Sequence, residues 1–491
     1  MQKKVVIIGA GFGGLSSAAF LAKRGHDVTV LEMHDQPGGR ARVWKQDGFS
    51  FDMGPSWYMN PDIFERFFAE FGKKPADYYE LVRLDPAYRM FFGERDFHDL
   101  SPDFEKNVAL FESIEPGAGD RLREYIDTAQ YQYEVSKREF LYKRYRTMRD
   151  FFSWKLLLEG NRLHLLENLA KYTGRFFRSL RLRQMLEYAM VFLGGAPSNT
   201  PAIYALINYV DMKLGIWYPM GGFGAVVRGI ERLATEQGAT FRYGAEVVAI
   251  ETSGDRATGV RLATGEVVPA DIVVANGDYH HLDTALLPPE KRSYGPRWWQ
   301  RRKVAPSAFL LYLGIEGRMD SLAHHNLVIA ENWQEHFDAI FDHPDWPERP
   351  SYYVCAPGRT DPSVAPHGDE ALFVLMPVAS GIEDTDEIRH RYADFLIADL
   401  ERISGEPFRE RIRVQRVFSQ RDFARDYHAF KGTALGLAHT LMQTAIFRPS
   451  PKSKKLENLY YAGQYTHPGI GVPMTLISAT VLDGIVAEDH A

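Results

Sequence analysis

The sequence predicts an α/β protein: a domain of strands and helices assembled from separate stretches of chain, with an α+β domain inserted between its pieces. Three observations predict it. The first thirty residues read as one βαβ unit, with Lys4–Ile8 a buried strand, residues 15–24 an alanine- and leucine-rich helix and residues 27–32 a second apolar strand. Residues 246–275 read as a small meander, with strands at 246–251, 258–262 and 270–275 and Ala263-Thr264-Gly265 as turn punctuation. The last fifty residues read as a strand at 458–462, a glycine-rich turn and a helix from about Met474.

Length and composition set the outer limits. A chain of 491 residues is too long for one core, so about two or three structural units are expected. Against 58 Lys and Arg stand 64 Asp and Glu, a formal charge of -6, which gives no global attraction for nucleic acid. The single cysteine, Cys355, excludes an intrachain disulfide and fits a reducing, cytoplasmic setting. The apolar run after the charged start is too short for a signal peptide, and no run of roughly 18 uncharged apolar residues is present to span a membrane.

The first motif lies in the βαβ unit. Gly9-Ala10-Gly11-Phe12-Gly13-Gly14 is a GxGxxG loop between strand and helix, and Glu32 closes the next strand 18 residues beyond Gly14. Glycine at positions 9, 11 and 14 allows a tight turn and close approach of a pyrophosphate to the N–H groups of the helix start. Glu32 accepts from ribose hydroxyls and disfavours a 2′-phosphate, so NADP is not expected. Three glycines alone make only a turn; strand, loop, helix and acid in register make a Rossmann-like dinucleotide site. Gly221-Gly222-Phe223-Gly224 follows a proline-bearing turn, so a second nicotinamide site is not expected.

Beyond this unit come Gln36-Pro37-Gly38-Gly39-Arg40 and Phe51-Asp52-Met53-Gly54-Pro55. Near the other end runs Ala462-Gly463-Gln464-Tyr465-Thr466-His467-Pro468-Gly469-Ile470-Gly471-Val472-Pro473. Together these resemble the flavin-containing amine oxidase and carotenoid desaturase superfamily, and the THPGxGxP run resembles the bacterial and fungal phytoene desaturases in particular. Leu193-Gly194-Gly195-Ala196-Pro197 and residues 215–224 extend the resemblance nearly end to end. It implies FAD as cofactor, with Gly39 and Arg40 by the phosphates, Gly54 and Pro55 near the flavin ring, and Val247 meeting the adenine end through its backbone. Gly463, Gly471, Val472 and Pro473 form the second glycine turn and helix start, whose N–H groups favour negative charge on a reduced flavin. The implied domains are 1–75, 215–290 and 440–491 for FAD, and 76–214 with 291–439 for the substrate.

The resemblance also implies an activity: double bonds introduced into a carotenoid precursor such as phytoene by hydride transfer to the flavin, with oxygen or a quinone as final acceptor. A later-step desaturase, an isomerase or a C30 dehydrosqualene desaturase shares the scaffold, as do an amine oxidase and, without redox chemistry, a prenyl-binding protein of the Rab GDP dissociation inhibitor type. The flavin does the difficult chemistry, so a nucleophilic triad is not expected. A departing proton leaves room for a base, and Asp150 and His467 are the candidates. Ser153 stands where an arginine is expected after Asp150, and the bland reading of each is a structural carboxylate and a hydrogen-bonded turn histidine. His280-His281 and His324-His325 are adjacent pairs whose side chains are expected to diverge, so no metal site is predicted.

Between Lys137 and Arg183 stand thirteen Lys and Arg and four Asp and Glu, beside Phe151, Phe152, Trp154 and Leu156–Leu158. A basic, aromatic-rich helical stretch over 137–190 fits a peripheral membrane contact, through which a long isoprenoid hydrocarbon dissolved in lipid would enter. The alternative is a solvated helical face over an ordinary core.

Overall fold

The computed structural model describes residues 1–145, 163–165 and 167–490. Its first layer is a five-stranded sheet in the order Leu459–Tyr461, Ile272–Ala275, β1 (Lys4–Ile8), β2 (Asp27–Leu31), Thr240–Arg242. Every neighbouring pair is parallel. The strands are short, and Val5 to Ile8 of β1 and all of Ile272–Ala275 are apolar and buried, as a sheet covered on both faces requires.

Helix α1 (Phe12–Lys23) connects β1 to β2 and packs between the helices Val472–Asp489 and Phe223–Glu236. It is buried on nearly every face, which its glycine, serine and alanine residues permit. The helix begins at Phe12 rather than at 15: Gly13 and Gly14 read as loop, but they form its first turn. A Cβ on Gly14 would run into the Gly9 carbonyl oxygen, so this glycine lets helix and strand close on each other.

The meander differs from expectation in one strand. Val247–Ser253, Arg256–Leu262 and Val267–Pro269 form the antiparallel three-stranded sheet. The apolar run Ile272–Ala275 instead joins the parallel sheet beside β1. Four buried residues without alternation belong to a covered sheet, whereas the meander needs only three residues ending in Pro269 at its edge.

The second layer is a mixed seven-stranded sheet built from residues 88–100 and 307–418, in the order Ile412–Phe418, Ser307–Ile315, Glu370–Val378, Tyr352–Cys355, His325–Val328, Tyr88–Gly93, Asp96–Leu100. All its pairs are antiparallel except His325–Val328 with Tyr88–Gly93. One face carries Leu310, Tyr312, Tyr353 and Phe373 toward a core shared with helix Ala118–Ser136. The other is covered by helix Asp386–Ser404. Among the described residues, no helix is long and apolar enough to cross a membrane.

Candidate active site

The carboxyl ends of four parallel strands open on one cavity of about 680 Å³. Gly9 and Gly11 follow β1, Glu32 follows β2, Asn276 to Asp278 follow Ile272–Ala275, and Gly463 follows Leu459–Tyr461. Ligands of open α/β sheets bind at this edge, where connections from neighbouring strands run to opposite sides. Two helix N-termini end here as well: Phe12 and Gly13 of α1, and Val472 to Thr475 of the C-terminal helix, after Gly471 at φ +117°. Their unpaired N–H groups place partial positive charge at the cavity wall.

A third helix start is unavailable to a ligand. Asp52 accepts the N–H groups of Phe223 (2.7 Å) and Gly224 (3.1 Å), and Asp361 accepts that of Gly221 (2.6 Å). The short strand Trp217–Pro219 before it pairs antiparallel with Leu81–Arg83, outside the parallel sheet. The glycine run at 221–224 is therefore capped by the protein's own carboxylates.

The glycine-loop end of the cavity is polar. Glu32 accepts the Ala10 N–H through one oxygen (2.7 Å) and the His34 N–H through the other (3.0 Å). Asn276 donates to the Gly9 carbonyl (3.2 Å), and Asn276 Oδ1 and Gly463 leave no room for a side chain at Gly13. Thus the N-terminal loop, the middle of the chain and the C-terminal turn meet at one point. Gly54 brings its backbone against the Arg40 carbonyl, joining the PGGR and DxGP motifs, and Gly39, Arg40, Gly54, Pro55 and Val247 all line the cavity. Of the expected cofactor residues only Gly14 does not, serving helix packing instead.

Several buried polar atoms along this wall have no protein partner: Nε and Nη2 of Arg40, Nε2 of Gln464 and Nδ1 of His467. An unpaired buried polar group costs about 1–3 kcal/mol, so these atoms mark where a polar ligand completes the site. Arg40 offers a forked guanidinium held 5.2 Å from the Tyr427 ring, a donor set suited to a pyrophosphate. The residues present fit a flavin dinucleotide.

The rest of the wall is apolar and aromatic. Tyr133, Phe140, Leu141, Tyr188, Tyr204, Ile207, Leu310 and Leu375 line it, drawn from helix Ala118–Ser136 and the helical turn Lys137–Leu141 after it, from short helices between 188 and 210, and from the second sheet. Phe140, Leu141, Tyr145 and Leu165 bring the described flanks of the basic segment to the cavity. Asp150, Phe151, Phe152, Trp154 and Leu156–Leu158 lie outside the described residues.

His467 lies in this wall. Its Nε2 sits 3.1 Å and 3.0 Å from the carbonyl oxygens of Phe140 and Leu141, which makes Nε2 the protonated nitrogen and leaves Nδ1 as a lone pair. Burial pushes its pKa down to about 4, so the ring is neutral at physiological pH.

Sequence reasoning missed the residues that only tertiary structure assembles here. Asn276 and Asp278 have a readable signal, Asn-Gly-Asp directly after an apolar strand; the stacked pair His281 and His428, with centroids 4.0 Å apart, has none. His280 and His281 diverge as expected, His280 stacking on Phe430. His324 and His325 do not: their rings are 4.5 Å apart, because the strand begins only at His325 and strand alternation does not govern His324.

A parallel sheet with a glycine loop, an acid at the end of the second strand and two free helix starts on one cavity defines a dinucleotide-binding flavoprotein fold. Residues 12–480 match the family described as flavin containing amine oxidoreductase, and the chain belongs to that family. Among its relatives are a carotenoid 3,4-desaturase of Haloarcula japonica, 45% identical over 99% of this chain and 98% of the relative, and a zeta-carotene-forming phytoene desaturase of Myxococcus xanthus, 35% identical over 100% and 95%. Among solved structures, an oxidoreductase from Methanosarcina mazei has a TM-score of 0.64 at 17% identity, covering 99% of this chain and all of its own. A Rab GDI from Plasmodium falciparum has the same fold at 12% identity, with a TM-score of 0.56 over 99% and 98%. The protein is an FAD-dependent oxidoreductase.

Proposed function

We propose that this protein is a carotenoid desaturase, which removes two hydrogens across a carbon–carbon single bond of a long isoprenoid hydrocarbon. The observation that carries this reading is one cavity whose polar end fits a flavin dinucleotide and whose remaining wall is apolar and aromatic. The desaturase names of relatives matched over nearly the whole chain support it.

FAD, when bound, supplies the hydride acceptor. In this reading Gly9, Gly11 and the start of α1 cradle the pyrophosphate, with Gly39 and the Arg40 guanidinium at its oxygens. Glu32 retains lone pairs for a ribose hydroxyl, and Val247 meets the adenine end. Gly54, Pro55 and Gly463 shape the pocket for the ring, and the helix start at Gly471, Val472 and Pro473 favours negative charge beside it. The apolar wall holds the hydrocarbon and excludes water. Two residues are proposed to take the proton: Asp150, and His467 at Nδ1, whose tautomer the Phe140 and Leu141 carbonyls fix. Burial lowers its pKa to about 4, which makes His467 a weak base.

Oxygen or a quinone is the proposed final acceptor, consistent with the third glycine-rich helix start being closed by Asp52 and Asp361. The basic segment around 137–190 is the proposed membrane contact, supported by its described flanks reaching the cavity.

A later step in carotenoid desaturation is the second reading, favoured by 45% identity to the carotenoid 3,4-desaturase against 35% to the phytoene desaturase. Liposomes carrying either phytoene or an already unsaturated acyclic carotenoid separate the two. The substrate that bleaches the flavin and gains double bonds identifies the step, and inertness toward both overturns the desaturase reading.

A further inference from the structure

Behind the cavity wall, the second sheet buries a group of side chains that neither cofactor binding nor desaturation uses. His325 and Cys355 are cross-strand partners in the pairing of His325–Val328 with Tyr352–Cys355, so their side chains share one face of the sheet. His324, one residue before the strand, turns its ring to the same place. One nitrogen from each imidazole and the Cys355 Sγ all lie within 4.8 Å of one another, and all three residues are buried.

The hydrogen bonding leaves ligand atoms over. His324 Nδ1 lies 2.7 Å from Thr360 Oγ1, and His325 Nδ1 lies 2.6 Å from Tyr353 Oη. The Nε2 atoms of both rings are buried and have no hydrogen-bond partner. Where the hydroxyl accepts, Nδ1 carries the proton and Nε2 is left bare as a ligand atom, with the second ring nitrogen held by a polar partner as in metal-ligating histidines. Cys355 is a free and buried cysteine, so its sulfur is not engaged in a disulfide.

We propose that His324, His325 and Cys355 bind one thiophilic d10 metal ion, Zn(II) or Cu(I), as a structural site. Two neutral imidazoles and one thiolate suit such ions, at ligand distances of about 2.0–2.3 Å; three ligands satisfy Cu(I), and with Zn(II) a fourth, non-protein ligand such as water completes the tetrahedron. Binding exchanges the Cys355 S–H bond for a metal–sulfur bond; the proton leaves to solvent, and no electron is transferred. With Zn(II) the site carries one excess positive charge, opposite the Asp361 carboxylate, which acts electrostatically on His324. The ion does not touch substrate. Its effect passes through His325, which stacks on Trp57 at 4.5 Å, and through Tyr353, whose hydroxyl is 2.9 Å from Ser56 Oγ; Trp57, Tyr353 and Ser56 all line the cavity. The site would fix that part of the wall.

The test uses the untagged, FAD-loaded protein from cells grown with added zinc or copper, washed with a chelator and assayed for metal by mass spectrometry. The expected result is about one ion per chain, falling at least tenfold in Cys355→Ser and in His324→Gln while the flavin spectrum is retained. Which metal accumulates separates zinc from copper. Should a variant fail to fold, X-ray absorption at the metal edge of the wild-type protein decides, with one sulfur and two imidazole nitrogens expected around the ion. Wild-type protein without stoichiometric metal from either growth, or a bound ion without sulfur in its first shell, overturns the proposal.

Discussion

Glu32 accepts two backbone N–H groups, those of Ala10 and His34, and so both shapes the glycine loop and presents its remaining lone pairs to the cavity. Glu32→Gln turns an amide N–H₂ toward one of these donors and removes the charge. A lost charge-assisted hydrogen bond is worth about 1.5–3 kcal/mol, so FAD affinity is expected to fall about 10- to 100-fold in a fluorescence titration of the apoprotein. Unchanged affinity would remove Glu32 from the cofactor site. A second residue-scale prediction concerns Asp211, buried where Tyr88 (2.6 Å) and Tyr188 (3.2 Å) donate to one of its oxygens. Burial pushes its pKa up to about 7 against those hydrogen bonds. A carboxyl whose folded pKa is raised contributes fully below its unfolded value near 4, and that contribution is lost as pH rises to about 7. Asp211→Asn removes the titration, so its stability relative to wild type should improve across that window, by up to about 4 kcal/mol. Parallel pH dependence of the two proteins in denaturant unfolding would contradict it. At this scale the sequence was legible where a residue type is dictated by backbone geometry, as at Gly9, Gly11 and Gly54. It was silent where a side chain matters only through a distant neighbour, as with His325 on Trp57 or His281 on His428.

Among the elements, the strand–loop–helix units were read most surely, because glycine spacing and an apolar run constrain each other within a dozen residues. Their edges were not. The start of α1 was placed three residues late, since glycines signal loop locally and only the closeness of Gly9 explains them as helix. The run at 270–275 was assigned to the meander for the same reason: apolar continuity marks a covered strand but not which sheet covers it. Gly14→Ala places a Cβ against the Gly9 carbonyl, whereas Gly295→Ala meets nothing within 4 Å. The first variant should be purified without flavin and with a lowered melting temperature; the second should match wild type. A Gly14→Ala protein that holds FAD normally would show that α1 and β1 need not approach so closely.

In the whole molecule, the parallel sheet gathers strands from residues 4–31, 240–275 and 459–461, and the second sheet gathers residues 88–100 and 307–418. The interruption of one fold by another was legible because glycine motifs stand at both ends of the chain. The seven-stranded sheet was not, since its strands follow no short motif and its order depends on one pairing more than 200 residues apart, Tyr88–Gly93 with His325–Val328. The excess of nine positive charges over residues 137–183 inside a chain of net charge -6 makes membrane association an electrostatic question. Sedimentation with anionic vesicles is expected, weakening as salt shortens the Debye length from about 10 Å at 0.1 M toward 3 Å at 1 M. Equal binding to neutral vesicles at all salt concentrations would leave only the apolar part of the contact.

In the proposed reaction one cavity brings a flavin and a long hydrocarbon together for hydride transfer. Mixing the FAD-loaded protein with carotenoid-bearing liposomes in the absence of oxygen tests it most directly. Loss of the oxidised-flavin absorption together with growth of a longer polyene band is the predicted result. A flavin that stays oxidised with every carotenoid offered would overturn the desaturase reading.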